Sequence, residues 1–224
     1  MCSQELGTGI CSTAASEERA RFFANLSEGL HAMAQPLTIL RSTVAASAAP
    51  GIDATKQQRY LDISSQQIAR ACRLFEFLED LVIASQMKAD CAPIELPALL
   101  TELANDQRVA FETAGAELRV VMPRRVPTVL GDVNRTQQAL STVLKLAASV
   151  SAAEDSVELL VTACGKHMEL IIRNDRVHGR SLNSWERLTM SLAQENILSQ
   201  RGEFQFVEDP FWTRVRLPIQ FSEF

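Results

Sequence analysis

The apolar positions of this chain change period once, and the change divides it. Leu26, Leu30, Met33, Leu37 and Leu40 recur at spacings of 4, 3, 4 and 3, the rhythm of a helix seam suited to coiled-coil or four-helix packing. The seam follows Ser16, a candidate N-cap with Glu17 and Glu18 in the first turn, and runs down to the breaker Pro50-Gly51. A second helix is expected from Asp53, again a candidate N-cap, to about Met87, carrying Leu61, Ile68, Ala71, Phe75, Leu78 and Val82 on a similar seam. Two helices of roughly 30 residues joined by a short turn make an antiparallel hairpin. A lone hairpin cannot bury both seams, and pairing of two copies into a four-helix bundle solves that.

After Lys88–Pro93 the pattern becomes mixed. A helix is expected over 97–114, a strand over Glu117–Met122, and a helix over Asp132–Ser151 opened by its N-cap Asp. Val157–Ala163 and Met168–Arg173 read as a hairpin around Cys164-Gly165-Lys166-His167, and 184–201 as a helix. Glu203–Val207 and Thr213–Pro218 read as a closing strand pair whose Phe204, Phe206, Phe211 and Trp212 form its core. The expected class is therefore α+β: a small polar tail at 1–15, a helical hairpin over 16–88, and a two-layer α/β sandwich of helices on a mixed sheet of about five strands over 94–220.

Composition narrows the function. Of 224 residues 46% are hydrophobic, enough for a core, and the net charge of −5 disfavours nucleic acid as a partner. Cys2, Cys11, Cys72, Cys91 and Cys164 are scattered, with no C-x-x-C pair and no histidine at ligand spacing. They are expected to be reduced thiols, several of them filling the core, and no metal site is expected. The first residues have no basic start and no long apolar run, so no membrane association is expected and the location is expected to be cytoplasmic.

The candidate chemistry lies in Phe22–Leu40, FFANLSEGLHAMAQPLTIL. His31 sits beside the seam residue Leu30, which places its imidazole on the flank of a bundle, and Gln35 is one turn later on the same face. Pro36 falls inside the helix, where it costs ~3 kcal/mol by removing a hydrogen bond. Imidazole titrates near neutral pH, so a ring nitrogen is available to attack phosphorus and later to release the phosphoryl group.

His31-x-x-x-Gln35-Pro36-Leu37-Thr38 resembles the H-box of sensor histidine kinases, and FFANLS is similar to its usual lead-in. Residues 53–87 are similar to the second helix of that family's dimerisation and phosphotransfer domain, and Val129-Leu130-Gly131-Asp132 with Arg135-Thr-Gln-Gln138 to the start of its nucleotide-binding domain. The likeness spans about residues 16–220. An alternative register, aligning FFANLS directly, puts Glu28 at the phosphoacceptor position and leaves no nucleophile there.

The departures from the family are concentrated at the nucleotide. Ala32 replaces the acidic or amide residue that follows the histidine, and the asparagine-bearing box falls on Thr142 and Leu146, the latter with no oxygen for Mg²⁺. The adenine box survives at most as Asp175-Arg-Val177-His-Gly179, and a register starting at Asn174 loses both glycines. The last glycine-rich box falls on Arg187–Leu192, which has no glycine. The remainder resembles dimeric histidine phosphotransferases built like degenerate kinases.

That resemblance implies that His31 is the phosphoacceptor, that Gln35 flanks the phosphoryl group, that Pro36 shapes the helix, and that the face near Leu37–Leu40 seats a response-regulator receiver domain. It implies a homodimer, with an upstream hybrid histidine kinase as a further partner. No cofactor is expected, Asp175 and Gly179 being remnants of a nucleotide site. Two other readings stay open: a divergent ATP-dependent sensor histidine kinase, the one case that requires ATP and Mg²⁺, and a non-catalytic pseudokinase scaffold that binds a response regulator. Arg19, Arg21, Arg70 and Arg73 are candidates for meeting acidic receiver surfaces, and His167 and His178 are expected to be solvated.

Overall fold

The computed structural model describes residues 8–174, 176 and 180–220, the side chains of 8–18 excepted. The chain divides into two compact units, Met1–Val82 and Ile83–Phe224. The first is a helical hairpin of α1 (Thr8–Ser47) and the start of α2 (Ala54–Gln86). α1 begins at Thr8, so positions 8–15 are helical where a tail was expected, and Ser16 lies inside the helix instead of capping it. Nothing in TGICSTAAS interrupts a helix already formed downstream, and extension adds one hydrogen bond for each residue fixed. Asp53 does cap α2, its Oδ1 accepting from Lys56 N at 2.9 Å.

The hairpin's register is set by two close approaches. Ser64 Oγ donates to Thr43 Oγ1 at 3.3 Å. Gly29 presents no side chain, and a Cβ there would lie 2.6 Å from Leu78 Cδ2 and 3.3 Å from Phe77 Cε1. Around this contact the seam splits. Leu26, Met33 and Leu40 are half-buried and Leu74 and Leu78 buried, whereas Phe23, Leu30, Leu37 and Val44 on α1 and Leu61, Ile68, Phe75 and Val82 on α2 are exposed. Both exposed rows repeat every seventh residue, and the register brings them down the hairpin in step, Leu30 near the level of Phe75 and Leu37 near that of Ile68.

The second unit is a two-layer α/β sandwich. A five-stranded sheet in the order β2-β4-β5-β7-β6 uses Glu117–Val121, Ser156–Cys164, His167–Asn174, Trp212–Pro218 and Glu203–Val207, respectively. β2 and β4 are parallel and the other pairs antiparallel. A short antiparallel pair of β1 (Ala92–Ile94) and β3 (Val129–Gly131), not expected from the sequence, stands apart from it. Residues on β4, β5 and β7 alternate between buried and partly exposed, so only one face is covered. α3 (Leu96–Ala114), α4 (Val133–Val150) and α5 (Ser184–Leu198) cover it, closing a core of Leu100, Leu140, Leu144, Leu170, Ile172 and Ile197.

The open face carries charge pairs instead. Arg173 Nη2 reaches Glu158 Oε2 at 2.8 Å, and Arg216 joins Glu169 and Glu203 at 2.9 and 3.0 Å. Hydrogen bonding to Glu169 and then Glu203 raises the Arg216 pKa, and bonding to Arg119 lowers that of Glu117. Phe204 and Phe211 are buried, while Trp212 is half-buried with the Arg214 guanidinium 5.6 Å from its ring. Cys72, Cys91 and Cys164 are exposed, which corrects the expectation that several thiols fill the core. Cys164 ends a strand beside the Gly165 turn, beyond the reach of the helix layer.

The end of α5 stores backbone strain that substitution exposes. Arg201 takes a left-handed φ of 64°, and a Cβ on the following Gly202 would sit 2.7 Å from Ile197 Cγ2 and 2.8 Å from Arg216 O. Glycine is the usual residue at the left-handed position after a helix. Arg201→Gly should therefore raise the unfolding free energy by about 1 kcal/mol, and Gly202→Ala should lower it by about 2 kcal/mol. Denaturant unfolding of both variants checks this pair of opposite signs.

Candidate functional site

His31 lies on the outer surface of α1, and its side chain is exposed together with Gln35, one turn further on. Pro36 is buried, and α1 continues through it from Thr8 to Ser47. Proline has no N–H for the Ala32 carbonyl. One turn on, Thr38 Oγ1 donates to Ala34 O at 2.8 Å, keeping the helix surface hydrogen-bonded past the proline. Glu28, the residue of the alternative register, is exposed as well, so exposure does not separate the two alignments. Of the two, only His31 offers an imidazole nitrogen. Arg19, Arg70 and Arg73 are exposed and Arg21 half-exposed. Among described residues no group of His, Cys, Asp and Glu is arranged to hold a metal ion.

In the α/β unit, the residues aligned with the nucleotide boxes are engaged by the protein itself. Thr142 Oγ1 donates to its own helix at Gln138 O, 2.9 Å away, and Leu146 is buried in the core. Gln138 Oε1 accepts from Asn196 Nδ2 at 3.0 Å, which ties α4 to α5. Arg180 lies over the last turn of α4. It donates to Ser149 O at 2.7 Å and pairs with Glu186, a cation at the negative end of the helix. Glu186 in turn completes a capping box with Asn183 at the start of α5. In the Arg187–Leu192 stretch, Leu188, Met190 and Leu192 are buried and contribute side chains where a phosphate cradle needs bare backbone.

At the end of β5, Asn174 is buried and its carboxamide is fully used. Its Nδ2 donates to Asp155 Oδ2 at 2.9 Å and Ser151 Oγ at 3.2 Å, and its Oδ1 accepts from Arg176 N at 3.0 Å. Asp155, also buried, accepts from Ala152 N at 2.9 Å, and Arg176 Nη1 stands 3.1 Å from its Oδ1. This carboxylate was not singled out in the sequence, where it is one acid among many. Asp175, His178 and Gly179 lie outside the described residues, so the expected nucleotide-box remnant does too. His167 lines a cavity of about 830 Å³ with Lys88, Asp90, Cys91 and Arg201, away from the α4–β5 cluster.

No family model matches the chain, and no curated protein matches it. Solved structures do. The Acinetobacter baumannii histidine kinase AdeS superposes with a TM-score of 0.63 at 14% identity, over 85% of this chain and 98% of that one. The cytoplasmic segment of histidine kinase QseC gives 0.51 at 18% identity, over 68% and 95%. Full-length ShkA in complex with AMPPNP gives 0.55 at 13%, with 94% of this chain spanning 46% of ShkA. At these identities the likeness establishes the fold: a helical hairpin followed by an α/β domain, as in the cytoplasmic part of sensor histidine kinases. Among described residues no helix is long and apolar enough to cross a membrane.

The Asp155 cluster gives a direct test of the packing. Asp155→Ala leaves Asn174 Nδ2, Ala152 N–H and the Arg176 guanidinium without their acceptor, and should cost about 3 kcal/mol. Urea unfolding checks it; a loss below about 0.5 kcal/mol, the usual surface value, contradicts the arrangement.

Proposed function

We propose that this chain is a phosphotransfer protein of two-component signalling, working in the cytoplasm as a homodimer, which carries a phosphoryl group on His31 to or from a response-regulator aspartate without using ATP. The observation that carries the reading is the exposed imidazole of His31, one turn ahead of Gln35 and the buried Pro36, on a hairpin that presents a continuous apolar row on each helix. An exposed histidine alone is common. One placed beside a face that demands a second hairpin, in a chain with this fold, has the architecture that phosphotransfer needs.

The chemistry asks little of the protein. The lone pair of an unprotonated ring nitrogen forms the P–N bond as the P–O bond to the receiver's aspartyl carboxylate breaks, and the carboxylate leaves with that electron pair. The reverse step returns the group. A receiver supplies the Mg²⁺ that steadies the transferring oxygens, so the stalk contributes presentation and alignment. In this reading Gln35, exposed beside His31, donates a hydrogen bond to the phosphoryl oxygens. An upstream hybrid histidine kinase is the donor that fits this role.

The absence of ATP use is supported by what fills the nucleotide-box positions: Leu146 in the core, and Asn174 bonded to Asp155 and Ser151. Self-pairing is supported by the exposed rows, where Leu30 is 54% and Ile68 50% accessible in the single chain. Rows in step on both helices form one apolar face, and a second copy supplies its match. His31 on the flank then stays accessible.

A phosphorylated receiver should label the wild-type protein with radioactive phosphate and leave His31→Ala at background; equal labelling of both refutes the assignment. Calorimetry with millimolar Mg-ATP should show no uptake, and saturable binding would restore the ATP-dependent kinase reading. Leu30→Glu with Ile68→Glu should convert a dimer to a monomer in sedimentation equilibrium, each substitution weakening association at least tenfold, about 1.4 kcal/mol.

A further inference from the structure

Arg135 is a heavily engaged side chain of α4, and only 11% of it is exposed. Its Nη1 donates to Ala84 O at 2.9 Å and to Ser199 Oγ at 2.7 Å. Its Nη2 donates to Met87 O at 2.9 Å and Ile83 O at 3.4 Å. Nε faces Asp132 Oδ2 at 3.6 Å, and Arg135 N donates to Asp132 Oδ1 at 3.1 Å. Ile83 and Ala84 lie in the last turn of α2 and Met87 follows it; Ile83 O already accepts from Met87 N at 3.0 Å, and this end of the helix carries its negative pole.

Asp132 extends the same knot. Its Oδ2 also accepts from Asp90 N at 3.1 Å, and its own N–H donates to Gln200 Oε1 at 2.7 Å. Gln200 is buried and also accepts from Thr136 Oγ1 at 3.2 Å. One planar guanidinium therefore binds the end of α2, the start of α4 and the residue after α5. A planar fork with several fixed donors does this; an ammonium does not. The division of the chain into units agrees, because it falls inside α2, between Val82 and Ile83, and not at the loop that follows Gln86.

We propose that Arg135 is a clasp that makes the end of α2 part of the α/β unit, so that the boundary between the two units falls inside the helix at Val82–Ile83 and not in the loop at Lys88–Cys91. The clasp stands independently of the phosphotransfer reading above.

The test uses the full-length protein with Arg135→Ala and Arg135→Lys. Hydrogen exchange of the unphosphorylated chain should show at least tenfold faster exchange at the amides of Met87–Asp90 in both variants, with the core amides of α4 and β5 unchanged. Unchanged exchange at Met87–Asp90, or faster exchange throughout the α/β unit, overturns the proposal, the second because Arg135 would then be a general staple of the fold. Should Arg135→Ala fail to fold, Arg135→Lys decides by the same criteria, and a Lys variant with wild-type exchange refutes the fork requirement. The expected exchange result with no labelling of the wild type leaves the clasp standing and removes the phosphotransfer reading.

Discussion

Two helices laid side by side have one mutual contact, and in this chain each helix carries more apolar surface than that contact can hold. The inner positions, Leu26, Met33 and Leu40 against Leu74 and Leu78, take the internal contact, and Gly29 lets Phe77 and Leu78 come close enough to make it. The outer positions, from Phe23 to Val44 and from Leu61 to Val82, are then left facing water. Burial of such side chains is worth roughly 1.5–3 kcal/mol each, so the hairpin is incomplete without further cover. His31 follows Leu30 in this geometry: adjacent to the outer row, not part of it, and exposed.

The α/β unit satisfies its own surfaces differently. Its sheet buries one face under α3, α4 and α5 and dresses the other with the Glu158–Arg173 and Glu169–Arg216–Glu203 pairs, which keep an open sheet face soluble. At the end of β5 and over the last turn of α4, polar side chains bond to one another. Asn174, Asp155, Ser151 and Arg176 satisfy one another, and Arg180 spans from Glu186 to the carbonyl of Ser149. Because the members share partners, removing one strands several others at once.

The hairpin, its turn at Pro50-Gly51, the Asp53 and Asp132 caps and the order of the elements were legible in the sequence, because each depends on neighbours within a turn or two. The strands β4, β5, β6 and β7 were legible from alternation alone. The pair β1–β3 was not, since strands this short carry no periodicity and form only when distant segments meet. The start of α1 was missed because an Ala/Ser-rich stretch is equally at home in a tail and in a helix extended from downstream.

At the candidate site the sequence supplied the identity of His31, Gln35 and Pro36, their spacing, and the replacements at Ala32, Thr142 and Leu146. It left open which residues of the seam face outward, because a 4-3 rhythm is shared by inner and outer rows and only the packing of α1 on α2 distinguishes them. It was silent on Asp155 and Arg180, and offered Arg135 only as part of a family motif, with no hint of its contacts. Each is an ordinary charged residue whose meaning comes from partners distant in sequence, 19 positions away for Asp155 with Asn174 and 64 for Arg135 with Ser199. Local pattern thus determined the elements and the candidate nucleophile. Tertiary structure decided which apolar row stays bare and which charges are consumed, because burial and long-range hydrogen bonding exist only once the elements have met.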